Sequence, residues 1–248
     1  MKSKKFFMIT ALLLLSLVLM ACSIPVIKIV KGTGSLTTET REVGDFDSIQ
    51  LNGTGKLVIT QGESVALQIE AEDNILPYLE SSVIGNTLQL GFHDNFWQRT
   101  LLPTEPITYS LVVTDLNALT FNGAGSLDMN QLATDELSIT VNGASQIKIK
   151  DLKADSLSIQ INGTGNVGVA GEVTTQTVSI DGAGTVLNGD LKSSQTNITA
   201  NGLGIATVWA TDHLDVTING GGTLNYYGEP TISQNINGAA DINHLGNK

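Results

Sequence analysis

The sequence predicts an all-β chain, a right-handed parallel β-helix (solenoid) with coils of about 20 residues and an elaborated N-terminal cap. Three observations carry this expectation. A motif made of an apolar residue, Asn-Gly and a small residue returns at a nearly fixed interval. Apolar and polar residues alternate on both sides of it. Helical periodicity is almost absent.

The chain opens on a targeting pattern. Lys2, Lys4 and Lys5 precede an apolar run from Phe6 to Met20, 15 residues long. A membrane-spanning helix needs ~20 such residues. The run therefore reads as the core of a signal peptide over 1–21, removed before folding. It ends Leu19-Met20-Ala21-Cys22, the form of a lipobox, in which cleavage before the cysteine frees a residue that carries acyl chains. Cys22 is the only cysteine, so no intrachain disulfide is available to it. Several acyl chains, at ~0.8 kcal/mol per buried methylene, would hold the protein to a membrane. Residues 22–35 read as a lipidated tether ending in Gly, Ser and Thr. The expected location is the cell envelope, and Ser23 is compatible with the outer membrane of an organism that has one.

Charge narrows the partners. The net charge is −11; loss of the three N-terminal lysines leaves ten basic residues against 24 acidic ones, or −14. So acidic a chain is a poor match for nucleic acid or an anionic membrane surface.

Residues 36–248 read as a single β-solenoid domain. Its first part, 46–120, holds one coil, around Asn52-Gly53, followed by an insertion. Strand-like runs at Val65–Glu70 and Thr87–Phe92 flank a candidate helical turn at Asp73–Ser82, which Pro77 limits. A loop, His93–Pro106, follows. This elaboration is expected to cover the N-terminal end, since solenoid ends need caps. Regular repeats fill 121–248. Their corners are Asn122-Gly123, Asn142-Gly143, Asn162-Gly163, Asp181-Gly182, Asn201-Gly202, Asn219-Gly220 and Asn237-Gly238, at steps of 20, 20, 19, 20, 18 and 18. Three alternating apolar residues precede each corner, as in Leu137, Ile139 and Val141, and two follow, as in Ile147 and Ile149. One repeat is thus strand, tight turn, strand, corner. A leucine-rich repeat of similar period needs a helix that no repeat supplies. A propeller blade needs about twice the period. Glycine at the corner is expected to supply a positive φ. The asparagines are expected to stack their amides along the axis.

The entry segment Gly34–Val43, with Phe46-Asp47-Ser48-Ile49, Val58–Glu63 and the later Asn-Gly repeats, resembles the bacterial family called putative auto-transporter adhesin, head GIN domain. The resemblance covers roughly 36–246. It implies an exported, often lipidated, repetitive all-β domain with an adhesive role and no established catalytic residues. The sequence carries no membrane-barrel pattern before Lys248, which departs from a true autotransporter.

Catalytic constellations are sparse. Parallel β-helices include polysaccharide lyases and hydrolases, which need basic residues with acidic calcium ligands, or paired carboxylates, on the outer surface. The only arginines, Arg41 and Arg99, lie outside the regular repeats, and His93, His213 and His244 lack metal-ligand spacing. Asp151 with Asp155 and Asp212 with Asp215 read as turn residues. No cofactor or metal is expected. Trp97, Tyr226 and Tyr227, with Trp209, are candidate binding aromatics for sugar rings. The expected function is a non-enzymatic, lipid-anchored interaction module, with carbohydrate or a surface protein as partner. The alternatives are a polysaccharide-processing enzyme and an accessory domain of an envelope-sensing system. Carboxylates or lysines converging in a groove favour the enzyme; a flat Thr/Ser/Asn-rich face favours binding.

Overall fold

The computed structural model describes residues 28–92 and 99–248. The signal segment, Cys22 and Trp97 lie outside them. The chain is a parallel β-solenoid with three-sided coils. The first coil is β3 (Ser48–Asn52) and β4 (Thr54–Gln61), joined at the Asn52-Gly53 corner. Above it lie β10 (Ala118–Phe121), β11 (Ala124–Met129), the short β12 (Leu132–Ala133) and β13 (Glu136–Val141). Four long strands then follow: β14 (Ala144–Ile161), β15 (Thr164–Ile180), β16 (Ala183–Ala200) and β17 (Leu203–Ile218). Each bends through the second and third sides and ends on the first side of the next coil. The last strands are β18 (Gly221–Tyr227), β19 (Thr231–Ile236) and β20 (Ala239–His244).

Alternation fixes what is buried. Ile139, Ile159, Val178, Ile198 and Val216 stack in register along one inner column, each nearly or fully buried. Their outward neighbours face solvent. Burying one such side chain contributes about 1.5–3 kcal/mol, so a stack of them supplies the core without any helix. Coil length varies, yet corners stay aligned. The register shifts fall between Ile149 and Leu152, between Val167 and Gly171, and twice between Asn188 and Gln195, all on or beside the third side.

Glycine at the corners has a different cause from the one the sequence predicts. Of the corner glycines only Gly53 has a positive φ, at 130°. At Gly123, Gly143, Gly163, Gly182, Gly202, Gly220 and Gly238 a Cβ would lie 1.8–2.2 Å from the carbonyl oxygen of the glycine one coil below. That carbonyl also accepts a bond from the residue after the next corner glycine, as in Ala144 N to Gly123 O at 3.0 Å. Backbone approach between coils, and not the left-handed region, excludes every side chain there.

The insertion passes beneath the first coil. β5 (Ala66–Glu72) leads to a 3-10 turn, Leu76–Tyr78, and then to β6 (Leu79–Ile84), β7 (Thr87–Phe92), β8 (Arg99–Leu102) and β9 (Thr108–Val113). β7 and β9 pair parallel with β3 and β4 from below. β6 forms a hairpin with β7, and β5 lies antiparallel on β9. β2 (Leu36–Arg41) adds antiparallel to β5, and β1 (Lys28–Lys31) pairs with β8. The predicted helical turn at Asp73–Ser82 is therefore corrected. The turn covers 73–78, ending in the 3-10 turn Leu76–Tyr78, and stops there because hairpin pairing with β7 claims Leu79 onward. Arg41 closes that turn, donating from Nη1 to Leu79 O at 2.7 Å and from Nη2 to Leu76 O at 3.2 Å.

Glu72 fastens the cap. Its buried carboxylate accepts from Gly34 N at 2.7 Å, Thr104 N at 2.8 Å and Thr104 Oγ1 at 2.5 Å. The Thr104 hydroxyl is the main cause that holds its pKa below the usual 4.5, with the backbone donors adding to it against the opposing effect of burial. Because the folded state holds the proton less tightly, Glu72 stabilises the fold fully above the carboxylate range. That contribution fades as pH falls through 4.5 toward the lower folded value. Glu72→Gln is expected to lower Tm at pH 7 and to flatten the acid side of a Tm-against-pH curve. An unchanged acid limb would show that Glu72 does not control it.

Candidate interaction surface

The corners build the first distinctive surface. Asn122 Nδ2 donates to Asn52 Oδ1 at 2.8 Å, Asn142 to Asn122 at 2.8 Å and Asn162 to Asn142 at 2.7 Å. A second run goes Asn201 to Asp181 at 2.6 Å, Asn219 to Asn201 at 2.8 Å and Asn237 to Asn219 at 3.1 Å. The two runs do not join. Every rung needs an NH2 pointing down the rod, and the Asp181 carboxylate has none. Asn162 Oδ1 accepts instead from Gln160 Nε2 at 3.1 Å. Asp181→Asn is expected to complete the column and stabilise the chain by about 0.5–1 kcal/mol. A thermal melt would show a rise of ~1–4 °C; a fall would mean the carboxylate bond from Asn201 outweighs the restored rung.

The side preceding the corners carries regular outward columns. Thr120, Thr140, Gln160, Ser179, Thr199, Thr217 and Asn235 form one outward column, in register coil upon coil. Ser138, Ser158, Thr177, Asn197, Asp215 and Ser233 form the next. Asp215 is the one charge in the two columns. Strands ~4.8 Å apart thus present a grid of neutral donors and acceptors. Such a grid can hydrogen-bond a polymer laid across it, and the next outward column of the same side adds Glu136 and His213. Charged pairs gather on other sides, as in Lys192 with Glu172 at 2.9 Å and Lys150 with Asp128 at 3.3 Å.

A groove of about 460 Å³ opens on the second side, where Gly168 leaves a notch between Lys148 and Leu187. Gln146, Asn166 and Asp190 complete its rim. Lys150 at its edge donates to Asn130 Oδ1 at 2.8 Å. Asp190 pairs with Lys248. Among the described residues no cluster of His, Cys, Asp and Glu is arranged to hold a metal.

The aromatics divide by strand parity. Tyr226 packs against the core and stacks on His244, with ring centroids 4.8 Å apart. Tyr227 faces outward beside Trp209, one coil below it. The Lys248 ammonium lies 4.6 Å from the Tyr227 ring centroid and 5.9 Å from that of Trp209.

The model of the family described as putative auto-transporter adhesin, head GIN domain matches residues 45–230. The chain belongs to this family. A putative adhesin from Bacteroides fragilis resembles this head GIN domain with a TM-score of 0.80 at 26% identity, over 87% of this chain and 100% of its own. A protein from Parabacteroides distasonis described as a putative lipid binding protein gives 0.68 at 22%, over 88% of this chain and 100% of its own. A putative adhesin from Parabacteroides merdae gives 0.67 at 22%, over 88% and 99%. The last two likenesses show that they share the head GIN domain's fold. No curated protein matches the chain.

Proposed function

We propose that this head GIN domain is a non-enzymatic module of the cell envelope, held by lipid at Cys22, whose Ser/Thr/Asn/Gln side adheres to carbohydrate or to another surface protein. The observation that carries the reading is the pair of outward columns in which Asp215 is the one charged residue. A regular neutral surface suits reversible hydrogen bonding to hydroxyl-rich partners, with waters bridging where fit is incomplete. The family's adhesin description supports exposure at the surface. The lipobox pattern at 19–22 supports the anchor.

The test is an array of glycans and surface proteins probed with the purified chain and with a Thr177→Arg/Thr199→Arg variant. Binding that the variant loses while its melt is unchanged supports the reading. Turnover of any polysaccharide, or binding that Lys148→Ala abolishes and the double variant keeps, moves function to the groove and sinks it.

A further inference from the structure

The far end of the rod is unfinished. β19 pairs with β17 and β20 with β18, each on one edge only. Ile232 and Ile236 occupy the positions of Leu214 and Ile218 one coil below. Those lower residues are 0% and 2% exposed, whereas Ile232 and Ile236 are 37% and 38% exposed. The chain beyond β20 does not cross this tip. It turns back along the rod: Leu245 N donates to Tyr226 O at 2.8 Å, Gly228 N to Gly246 O at 3.0 Å and Lys248 Nζ to Gly189 O at 2.7 Å. β1 and β8 lie at the opposite end.

Among the described residues the tip also lacks the usual defences of a sheet edge, which are lysines, an internal proline, a bulge or a covering segment. β19 reads Thr-Ile-Ser-Gln-Asn-Ile without a charge, and β20 carries one carboxylate, Asp241. In a chain of net charge −11 the two tip strands carry one carboxylate, Asp241, with Glu229 just before β19, so two copies can meet here with little repulsion. We propose that the tip docks on the tip of a second copy of this chain, about a two-fold axis through the Asn237-Gly238 corner.

The geometry fits that symmetry. Six-residue strands flank the corner on either side. A two-fold perpendicular to the rod exchanges the two sides and reverses the direction of winding. β19 therefore meets β20 of the second copy antiparallel, and β20 meets its β19. Positions 232, 234, 236, 240, 242 and 244 all pair with inward-facing residues of the coil below. A register that sets even positions opposite even ones joins both apolar interiors and fills both open edges. The contact is isologous and closes at a dimer. As the partner of an adhesive rod this rests on the proposed function, since two anchored ends would then lie at opposite ends of the joined rod and tip pairing would bridge facing surfaces. The contact itself does not depend on that.

The experiment is concentration-dependent light scattering on the purified chain carrying Cys22→Ser, with Ile236→Lys as the tip variant. The molar mass is expected to double with concentration. Ile236→Lys, which puts an unpaired charge into the joint in each copy, should weaken the dimer ~100-fold or more while leaving circular dichroism unchanged. Asn237→Cys in the same background should form an intermolecular disulfide under mild oxidation, since the axis passes beside it; Thr177→Cys should not. A monomer at all concentrations, or a dimer that keeps its affinity in Ile236→Lys, overturns the proposal. A dimer that fails to bring coated beads together supports the contact and counts against the adhesive reading alone.

Discussion

Gly143→Ala is expected to destabilise the chain by about 3 kcal/mol, although it adds a single methyl group to an exposed corner. Its Cβ would lie 1.9 Å from the Gly123 carbonyl oxygen and 2.7 Å from the carbonyl carbon. Neither is the end of a flexible side chain. Relief requires the coil spacing at the corner to open, and opening it stretches two contacts at once. The Ala144 N–H bond to the same oxygen, 3.0 Å long, lengthens. So does the Asn142-to-Asn122 rung beside it, at 2.8 Å. In a protein of this size the loss corresponds to ~6–12 °C in Tm. Gly168→Ala is the control. Its Cβ would meet nothing closer than the Leu187 carbonyl oxygen at 3.7 Å, so it should stay within about 0.5 kcal/mol. Thermal melts of the two variants check the argument, and equal melts would refute it.

The contrast between those glycines marks what the sequence can express. The 20-residue interval shows that one position per coil excludes side chains. It does not show why. A left-handed φ and a backbone crowding from the coil below leave the same letter, and only coordinates separate them. The solenoid itself was legible because alternation and period are local properties, readable residue by residue from Leu137 to Ile149. The insertion was less so. The stretch at Asp73–Ser82 has a helix-compatible composition, and its strand character comes from β7, which follows it in the chain. The outward columns were half legible: Thr177 and Thr199 plainly face away from the core, but that they stand in two adjacent columns whose one charge is Asp215 depends on register. The open tip has no local sign at all. Ile232 and Ile236 look like every earlier inward pair, and what distinguishes them is the lack of a coil above.

The interior holds the least legible feature, and it sets the second large expectation. Asn188 occupies an inward position, 0% exposed, in register with Val208 above. It sits where pairing between β15 and β16 lapses after Val167. There the Val169 N–H has no ladder acceptor in β16, and Asn188 Oδ1 takes its place at 2.9 Å. The same amide donates to Gln176 Oε1 at 2.5 Å, and Gln176 Nε2 reaches Thr196 Oγ1 at 3.5 Å. Thr196 shares a hydrogen bond with Ser193 at 2.6 Å, and Ser193 Oγ donates to Trp209 O at 2.9 Å. The polar chain thus repairs the backbone where one coil is shorter than its neighbour. This is how a step of 19 is tolerated among steps of 20. Asn188→Leu keeps the volume roughly and strands two buried groups, Val169 N–H and Gln176 Oε1. At about 1–3 kcal/mol for each, the expected loss is ~3–4 kcal/mol. Adding Gln176→Met removes one stranded acceptor, so the double variant should recover part of that loss, with a coupling of at least about 0.5 kcal/mol in a double-mutant cycle. Denaturant titration of the four proteins measures it. Strict additivity would mean that the two side chains act separately and that the network does not carry the register shift.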